Sequence, residues 1–289
     1  MRIPTPPALL PEKVVAVAQE YAAGVRTPVE PRDAATVILL RPGAGAPEVY
    51  LLRRQTSMAF AAGMCVFPGG GVDPRDAELG DEHWAGPSPA VWAERLGATE
   101  EEARALLAAA VRETFEESGV LLAGAAAGEV VADVSGEDWE ADRVALESRE
   151  LSLTELLDRR GLVLRTDLLG AWAAWTTPAF EPKRYRTWFF VASLPDGQLT
   201  RDVSSESESV AWLPTDQALA QADRGEIGLM HPTYLNILEI SQYADPGAVL
   251  RSTADRRVEM FTPAVEEVDG GHALTIMDHH RELLRARHG

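Results

Sequence analysis

Between Thr99 and Gly119 the chain carries one helix with both ends marked, and this segment limits the possible folds more than any other. Thr99 with Glu102 three residues on is a capping-box signature, ARALLAAAVRETFEES continues without a breaker, and Gly119 suits the left-handed turn that ends helices. At 3.6 residues per turn Val111 and Phe115 share one side, while Glu113, Glu116 and Glu117, at i, i+3 and i+4, gather on the other. The apolar side is expected to dock on a sheet and the acidic side to stay open. Carboxylates so placed repel one another by roughly a few tenths of a kcal/mol per pair, and a hard divalent cation with oxygen ligands would offset this. An acidic stripe is also what an ordinary solvated helix shows, so the helix alone does not decide.

The rest of the chain supplies a sheet. ATVILLRP and PEVYLLRR, rich in β-branched residues and separated by GAGAP, predict a strand hairpin, and MCVF a third short strand ending at Pro68. LLGAWAAWTTP, RYRTWFFVASLP and ESVAWLP predict further strands, and VEMFTPAV and HALTIMD give the tail strand character. Helical patterns fall near Val14 to Ala22, Ala90 to Leu96, Leu153 to Arg159, Thr215 to Ala222 and Tyr234 to Tyr243; the small-residue stretch AGAAAGEVVADVSGE reads as mobile. Strands interleaved with helices predict an α/β or α+β architecture, a mixed sheet sandwiched between helices. We read residues 1–33 as an N-terminal arm and 34–289 as a single domain with a C-terminal extension from about residue 231.

Charge and composition exclude several functions. The net charge of −18, from 45 acidic against 27 basic residues, repels a nucleic-acid backbone. Cys65 is the sole cysteine, so no internal disulfide forms, and it reads as a small core residue rather than a nucleophile. There is no apolar run of about 18 residues, and the first residues lack the apolar stretch of a secretory signal, so no membrane association and a cytoplasmic location are expected. The six histidines show no metal-ligand spacing with cysteine, and His279 and His280 are adjacent rather than facing, so no zinc site is expected.

Gly69, Gly70 and Gly71 follow Pro68 at a strand end, where a structural turn would need one glycine. FPGG at 67–70 followed by RETFEESGV at 112–120 resembles the Nudix box, whose pattern is G, five residues, E, seven residues, then R-E-U-x-E-E-x-G-U with U aliphatic. Arg112, Glu113, Glu116, Glu117, Gly119 and Val120 match; Thr114 stands where an aliphatic residue is usual. The first half departs, because Gly70 and Arg112 are 42 positions apart, far more than the pattern allows, which places an insertion at about 72–99. The acidic residue of the first half is left open: counting forward from Gly70 gives Asp76, counting back from Arg112 gives Arg104, and Glu100 to Glu102 lie nearby.

The resemblance, over roughly residues 34 to 240, implies a Nudix fold and a Mg²⁺- or Mn²⁺-dependent hydrolase of a phosphoanhydride in a small nucleotide substrate. It implies that Glu113, Glu116 and Glu117 ligate the metal with a carbonyl near Gly69, that Arg112 orients the glutamates, and that the general base is a box glutamate or a distant carboxylate. Glu206 and Glu208 are the candidates for the latter, with Glu208 preferred, and Glu181 a weaker one. The text before the box is similar to the subgroup that includes a peroxisomal coenzyme A diphosphatase. A related coenzyme A signature is half met, by Arg54 and Gly63, with Gln55 and Ala59 where serine and arginine would stand. Arg53, Arg54, Gly70, Arg184 and Arg186 are the expected substrate contacts, and Trp172, Trp175 and Trp188 are candidates for stacking or for the core. ADP-ribose, a dinucleotide or a nucleotide sugar is the alternative substrate, and a binding module without turnover the alternative class. The family's dimers also allow a homodimer.

Overall fold

The computed structural model describes residues 8–56, 61–125 and 128–288. Ala59 and the first seven residues of the expected N-terminal arm lie outside them.

The chain opens with helix α1 (Glu12–Ala22) and a splayed hairpin, β1 (Arg32–Arg41) and β2 (Glu48–Arg54). The two strands pair with each other only at Leu40↔Val49 and Arg41↔Glu48. Below that point they part to admit β3 (Cys65–Val66), which pairs with β2, and β4 (Gly69–Gly71), which pairs with β1. Pro68 and the glycines therefore form a corner inside the fork, and the Val37 amide donates to the Pro68 carbonyl at 2.9 Å. After β5 (Trp84–Ala85) come α2 (Pro89–Leu96) and α3 (Glu100–Ser118), the latter opened by the Thr99–Glu102 capping box and closed by Gly119 at φ 71.

Beyond β6 (Ala123–Gly124) lie α4 (Glu137–Glu147), α5 (Leu153–Arg160) and β7 (Val163–Arg165). Then come β8 (Leu169–Thr176), β9 (Tyr185–Ser193), β10 (Ser207–Pro214), α6 (Thr215–Asp223), α7 (His231–Ile240) and α8 (Pro246–Arg251). The C-terminal part adds β11 (Met260–Phe261), the hairpin β12 (Val265–Val268) and β13 (Gly271–Leu274), and α9 (Asp278–His288).

The main sheet runs β10-β2-β1-β9-β8-β11, parallel at β1–β9 and β8–β11 and antiparallel elsewhere, so it is mixed as expected. Alternate residues of its central strands feed two cores. Ala35, Val37, Leu39, Trp188 and Phe190 pack under α2, α3 and α5, while Ile38, Leu40, Phe189 and Val191 pack under α6, α7 and α9. Among the described residues no helix is long and apolar enough to cross a membrane.

Three helices escape the apolar pattern. The inward residues of α4 are Asp142, Arg143 and Leu146, and α9 buries only His280 and Leu284, so neither has the apolar period that predicts a helix. Short α8 begins at a proline after the Asp245 cap. The stretch expected to be mobile therefore runs directly into an ordered helix. Helix α7 starts and ends three residues earlier than its pattern suggested, because Pro232 is accepted in a first turn, where its missing N–H is not needed.

Thr99→Ala removes one half of the capping box and is expected to cost about 1 kcal/mol. A urea unfolding curve should show a lower midpoint at unchanged slope.

Candidate active site

The fork and the last turns of α3 meet at the glycine corner. The Gly69 amide donates to Glu117 Oε2 at 2.8 Å, so its contact with the acidic group is through nitrogen. A Cβ on Gly69 would stand 2.5 Å from the Ala35 carbonyl oxygen and 2.7 Å from Thr36 Cα; one on Gly70 would stand 2.5 Å from the Glu113 carboxylate. Both positions need glycine for close approach, the first to backbone and the second to a functional side chain.

Arg112 ties the acidic group together. Its Nε and Nη2 donate to the two oxygens of Asp76 at 2.9 Å each, its Nη1 donates to Glu113 at 2.8 Å and Glu116 at 3.2 Å, and its Nη2 also reaches the Gly71 carbonyl at 3.0 Å. Of the residues left open above, Asp76 is the one that meets the arginine. Arg104 instead donates to the Leu79 carbonyl and Asp81, and Glu100 to Glu102 sit in the first turn at the other end of α3. Thr114 fits because its hydroxyl bonds back to the Ala110 carbonyl at 2.7 Å.

The acidic face is less open than expected: Glu116 and Glu117 are buried against the corner and reach solvent only through a cleft over it. Burial, then repulsion from Glu113, pushes the Glu116 carboxyl up to about 7, against the pull of Arg112. Glu117 is pushed well above the usual range and Glu113 upward, burial being the main cause for both. Three oxygen-donor side chains that oppose one another at a bend with no side chain of its own fit a hard divalent cation.

Helix α4, unforeseen in the sequence, braces this arrangement. Arg143 Nη1 donates to the Glu116 carbonyl at 2.7 Å, capping the end of α3, and to Glu147 at 3.0 Å. Glu147 in turn accepts from the Ser205 amide and hydroxyl, which holds the segment carrying Glu206 against the site. No apolar period marks these residues; the spacing of Arg143 three residues after Glu140 and four before Glu147 was the available signal.

A cleft of ≈ 1070 Å³ opens over the corner, lined by Gly69, Gly70 and the four residues Arg112, Glu113, Glu116 and Glu117. Arg54, Glu181 and Glu206 also line it, and Arg54 donates to Glu206 at 3.0 Å. Four expected residues do not. Glu208, the preferred distant carboxylate, is 58% exposed and pairs loosely with Arg53, itself 50% exposed, at 3.8 Å. Arg53 and Arg54 are neighbours on β2 and face opposite sides, and a register shift between Ser207 and Ser209 places Glu208 beside the outward Arg53 while Glu206 meets Arg54. The same parity removes Arg184 and Arg186: Tyr185, Thr187 and Phe189 face the cleft, while Arg184 binds the Val29 and Thr177 carbonyls and Arg186 grips Asp33. Of the three tryptophans only Trp175 lines the cleft; Trp172 and Trp188 are core. Cys65 is buried, and burial pushes its thiol up.

A buried carboxylate helix, a glycine corner and a mixed sheet between helices define the class to which comparison leads. A family model described as the NUDT19 Nudix domain matches residues 85–240, more than half of the chain, and the chain belongs to this family of Nudix hydrolases. A Caenorhabditis elegans protein named as a nudix hydrolase is 28% identical over 202 residues, 68% of this chain and 57% of that protein. This chain thus spans somewhat over half of that relative's length. The Xenopus laevis protein named acyl-coenzyme A diphosphatase NUDT19 is 22% identical over 264 residues, 79% of this chain and 70% of its own. The crystal structure of a Nudix hydrolase from Alicyclobacillus acidocaldarius superposes with a TM-score of 0.66 at 27% identity, covering 77% of this chain and 96% of that one.

Gly70→Ala is expected to keep the fold, because its Cβ meets only the end of a flexible side chain, and to lower hydrolytic activity by on the order of 10²-fold through displacement of Glu113. Gly69→Ala meets backbone, and is expected to destabilise by roughly 1–3 kcal/mol; thermal melts of both variants with activity assays check the contrast. A pH dependence also follows. Between its ordinary value of 4.5 and about 7, Glu116 holds a proton in the folded protein that the unfolded chain has lost. Its contribution to stability therefore declines as pH rises through that window. Melts of the chelator-treated protein should show Glu116→Gln gaining stability over wild type from about pH 5 to about pH 8.

Proposed function

We propose that this chain hydrolyses the phosphoanhydride of a nucleoside diphosphate derivative in the presence of Mg²⁺ or Mn²⁺, with coenzyme A or an acyl-coenzyme A as preferred substrate. The observation that carries the reading is the meeting of Glu113, Glu116 and Glu117 at the Gly69–Gly70 corner in a cleft of ≈ 1070 Å³. Those three glutamates would hold the ions, which when bound neutralise diphosphate charge and lower the pKa of water. A chain serving only to bind a nucleotide would not need to bury such a mutually repelling set.

Arg112 is fully engaged by Asp76, Glu113, Glu116 and the Gly71 carbonyl, and so acts by positioning the glutamates. With Asp76 in the acidic place of the first half of the box, the extra residues begin after Asp76 rather than at residue 72. Glu206, half exposed at the cleft beside Arg54, is the proposed acceptor of the proton from the attacking water. Arg54, Arg75 and Arg149 are the cleft cations proposed to meet substrate phosphates.

Support for coenzyme A comes from the size and lining of the cleft. Phe67, Trp175, Phe189, Leu229 and Leu274 form an apolar wall suited to a pantetheine or acyl arm, beside the charged end suited to the diphosphate. The activity named for the Xenopus relative agrees with this choice. Gln55, which departs from the coenzyme A signature, donates to the Ser205 carbonyl at 2.8 Å and so steadies the segment bearing Glu206.

Glu116→Gln and Glu117→Gln are expected to lower turnover at least about 10²-fold with the fold retained. Product analysis on coenzyme A, acyl-coenzyme A, ADP-ribose, a dinucleotide and a nucleotide sugar should show adenosine 3′,5′-bisphosphate and 4′-phosphopantetheine or its acyl form accumulating fastest. Faster cleavage of ADP-ribose would replace the substrate assignment, and unimpaired turnover in both variants would remove the metal assignment.

A further inference from the structure

Helix α9 meets α7 through three potential ligands that the diphosphate site does not use. His279 Nε2 lies 3.6 Å and His280 Nε2 3.4 Å from Glu239 Oε2, and the ligand atoms all lie within 4.8 Å of one another. The expectation from sequence that these adjacent histidines do not converge is thus corrected: both stand in the first turn of α9, where their rings approach to 3.9 Å and reach the same carboxylate on α7.

Two features show that the cluster is aimed at something. The other Glu239 oxygen, Oε1, accepts from Arg256 at 2.8 Å, which leaves Oε2 turned to the histidines. The His280 side chain is 1% exposed, and neither its ring nitrogens nor Glu239 Oε2 has a hydrogen-bond partner among the described residues. Buried polar atoms are almost always paired, so unpaired ones facing each other from two helices point to a bridging ligand.

The spacing identifies its class. A tetrahedral ion bonded at about 2.0–2.2 Å to nitrogen and oxygen needs its ligand atoms roughly 3.3–3.5 Å apart, close to the separations of 3.4 and 3.6 Å. Two imidazoles and one carboxylate oxygen suit zinc-like transition metals, whereas Mg²⁺ prefers an all-oxygen shell such as the glutamates of α3 offer.

We propose that Glu239, His279 and His280 bind a transition-metal ion of the zinc class that fastens α9 to α7. The fourth position is left to solvent at the side of His279, which is 48% exposed. The ion would sit behind the cleft wall, because Trp175 lines the cleft and stacks on His280 with ring centroids 6.0 Å apart.

The test uses the full chain, stripped with chelator and dialysed against Zn²⁺ with Mg²⁺ in excess, with bound zinc measured by elemental analysis. Wild type and a Glu116→Gln, Glu117→Gln double variant are both expected to retain about one zinc per chain. His279→Ala changes a half-exposed side chain and should fold; it is expected to bind zinc at least about tenfold more weakly. Added zinc should raise the melting temperature of wild type and not of His279→Ala. Co²⁺ in the double variant should give the visible bands of a four-coordinate site. Failure of wild type to retain zinc, loss of zinc in the double variant, or wild-type affinity in His279→Ala overturns the proposal.

Discussion

One guanidinium gathers three carboxylates beside a fourth that the Gly69 amide holds, and most of the site depends on it. Arg112 is nearly buried, as are Asp76, Glu116 and Glu117. Charges so placed are costly unless each has a partner in good geometry. The bidentate grip on Asp76 supplies one such partner, and Arg112 Nη1, shared between Glu113 and Glu116, supplies part of two others. One cation among four acids leaves an excess of negative charge, and the raised carboxyl groups of α3 express that excess. A strained electrostatic arrangement of this kind, facing a cleft, is characteristic of a functional site rather than a structural ion pair.

The fold is arranged so that this group can exist. Parting of β1 from β2 creates the fork that receives Pro68 and the glycines, and the register Ala35↔Gly70 and Thr36↔Gly69 sets the corner against the end of α3. Helix α3 is anchored from within by Val111 and Phe115 and at its C-terminal end by Arg143, so the glutamates cannot relieve their repulsion by fraying. Through Glu147 the same α4 residue network reaches Ser205 and thus Glu206 on the other side of the cleft. Both sides of the cleft are therefore held by one helix whose inner face is charged.

The C-terminal part completes the cleft with a different chemistry. Leu229, Met230, Pro232 and Leu274 make its share of the wall largely apolar, and Trp175 links that wall to the Glu239, His279 and His280 cluster behind it. The molecule thus offers oxygen donors alone at the glycine corner and mixed nitrogen and oxygen donors at the α7–α9 contact, two environments that select different cations.

What could be read from sequence is what depends on residues close together in the chain. Helical geometry places Glu113, Glu116 and Glu117 on one face, the capping box and Gly119 bound α3, and apolar runs between turn-prone segments mark the main strands, all from local spacing. Pairing across long separations was not readable. Asp76 could be singled out from Arg104 only when the fold brought it to Arg112, and strand parity on β2 together with the register shift at Ser207–Ser209 put Arg53 and Glu208 outside while Arg54 and Glu206 line the cleft. Helices α4 and α9 were missed because charged inner faces leave no apolar period. The convergence of His279 and His280 on Glu239 likewise depends on how α9 lies across α7. The sequence by itself determined the ligand-bearing helix and the glycine bend. Only the tertiary structure decided which distant charges complete the site, because burial and contact between far segments are properties of packing and not of spacing.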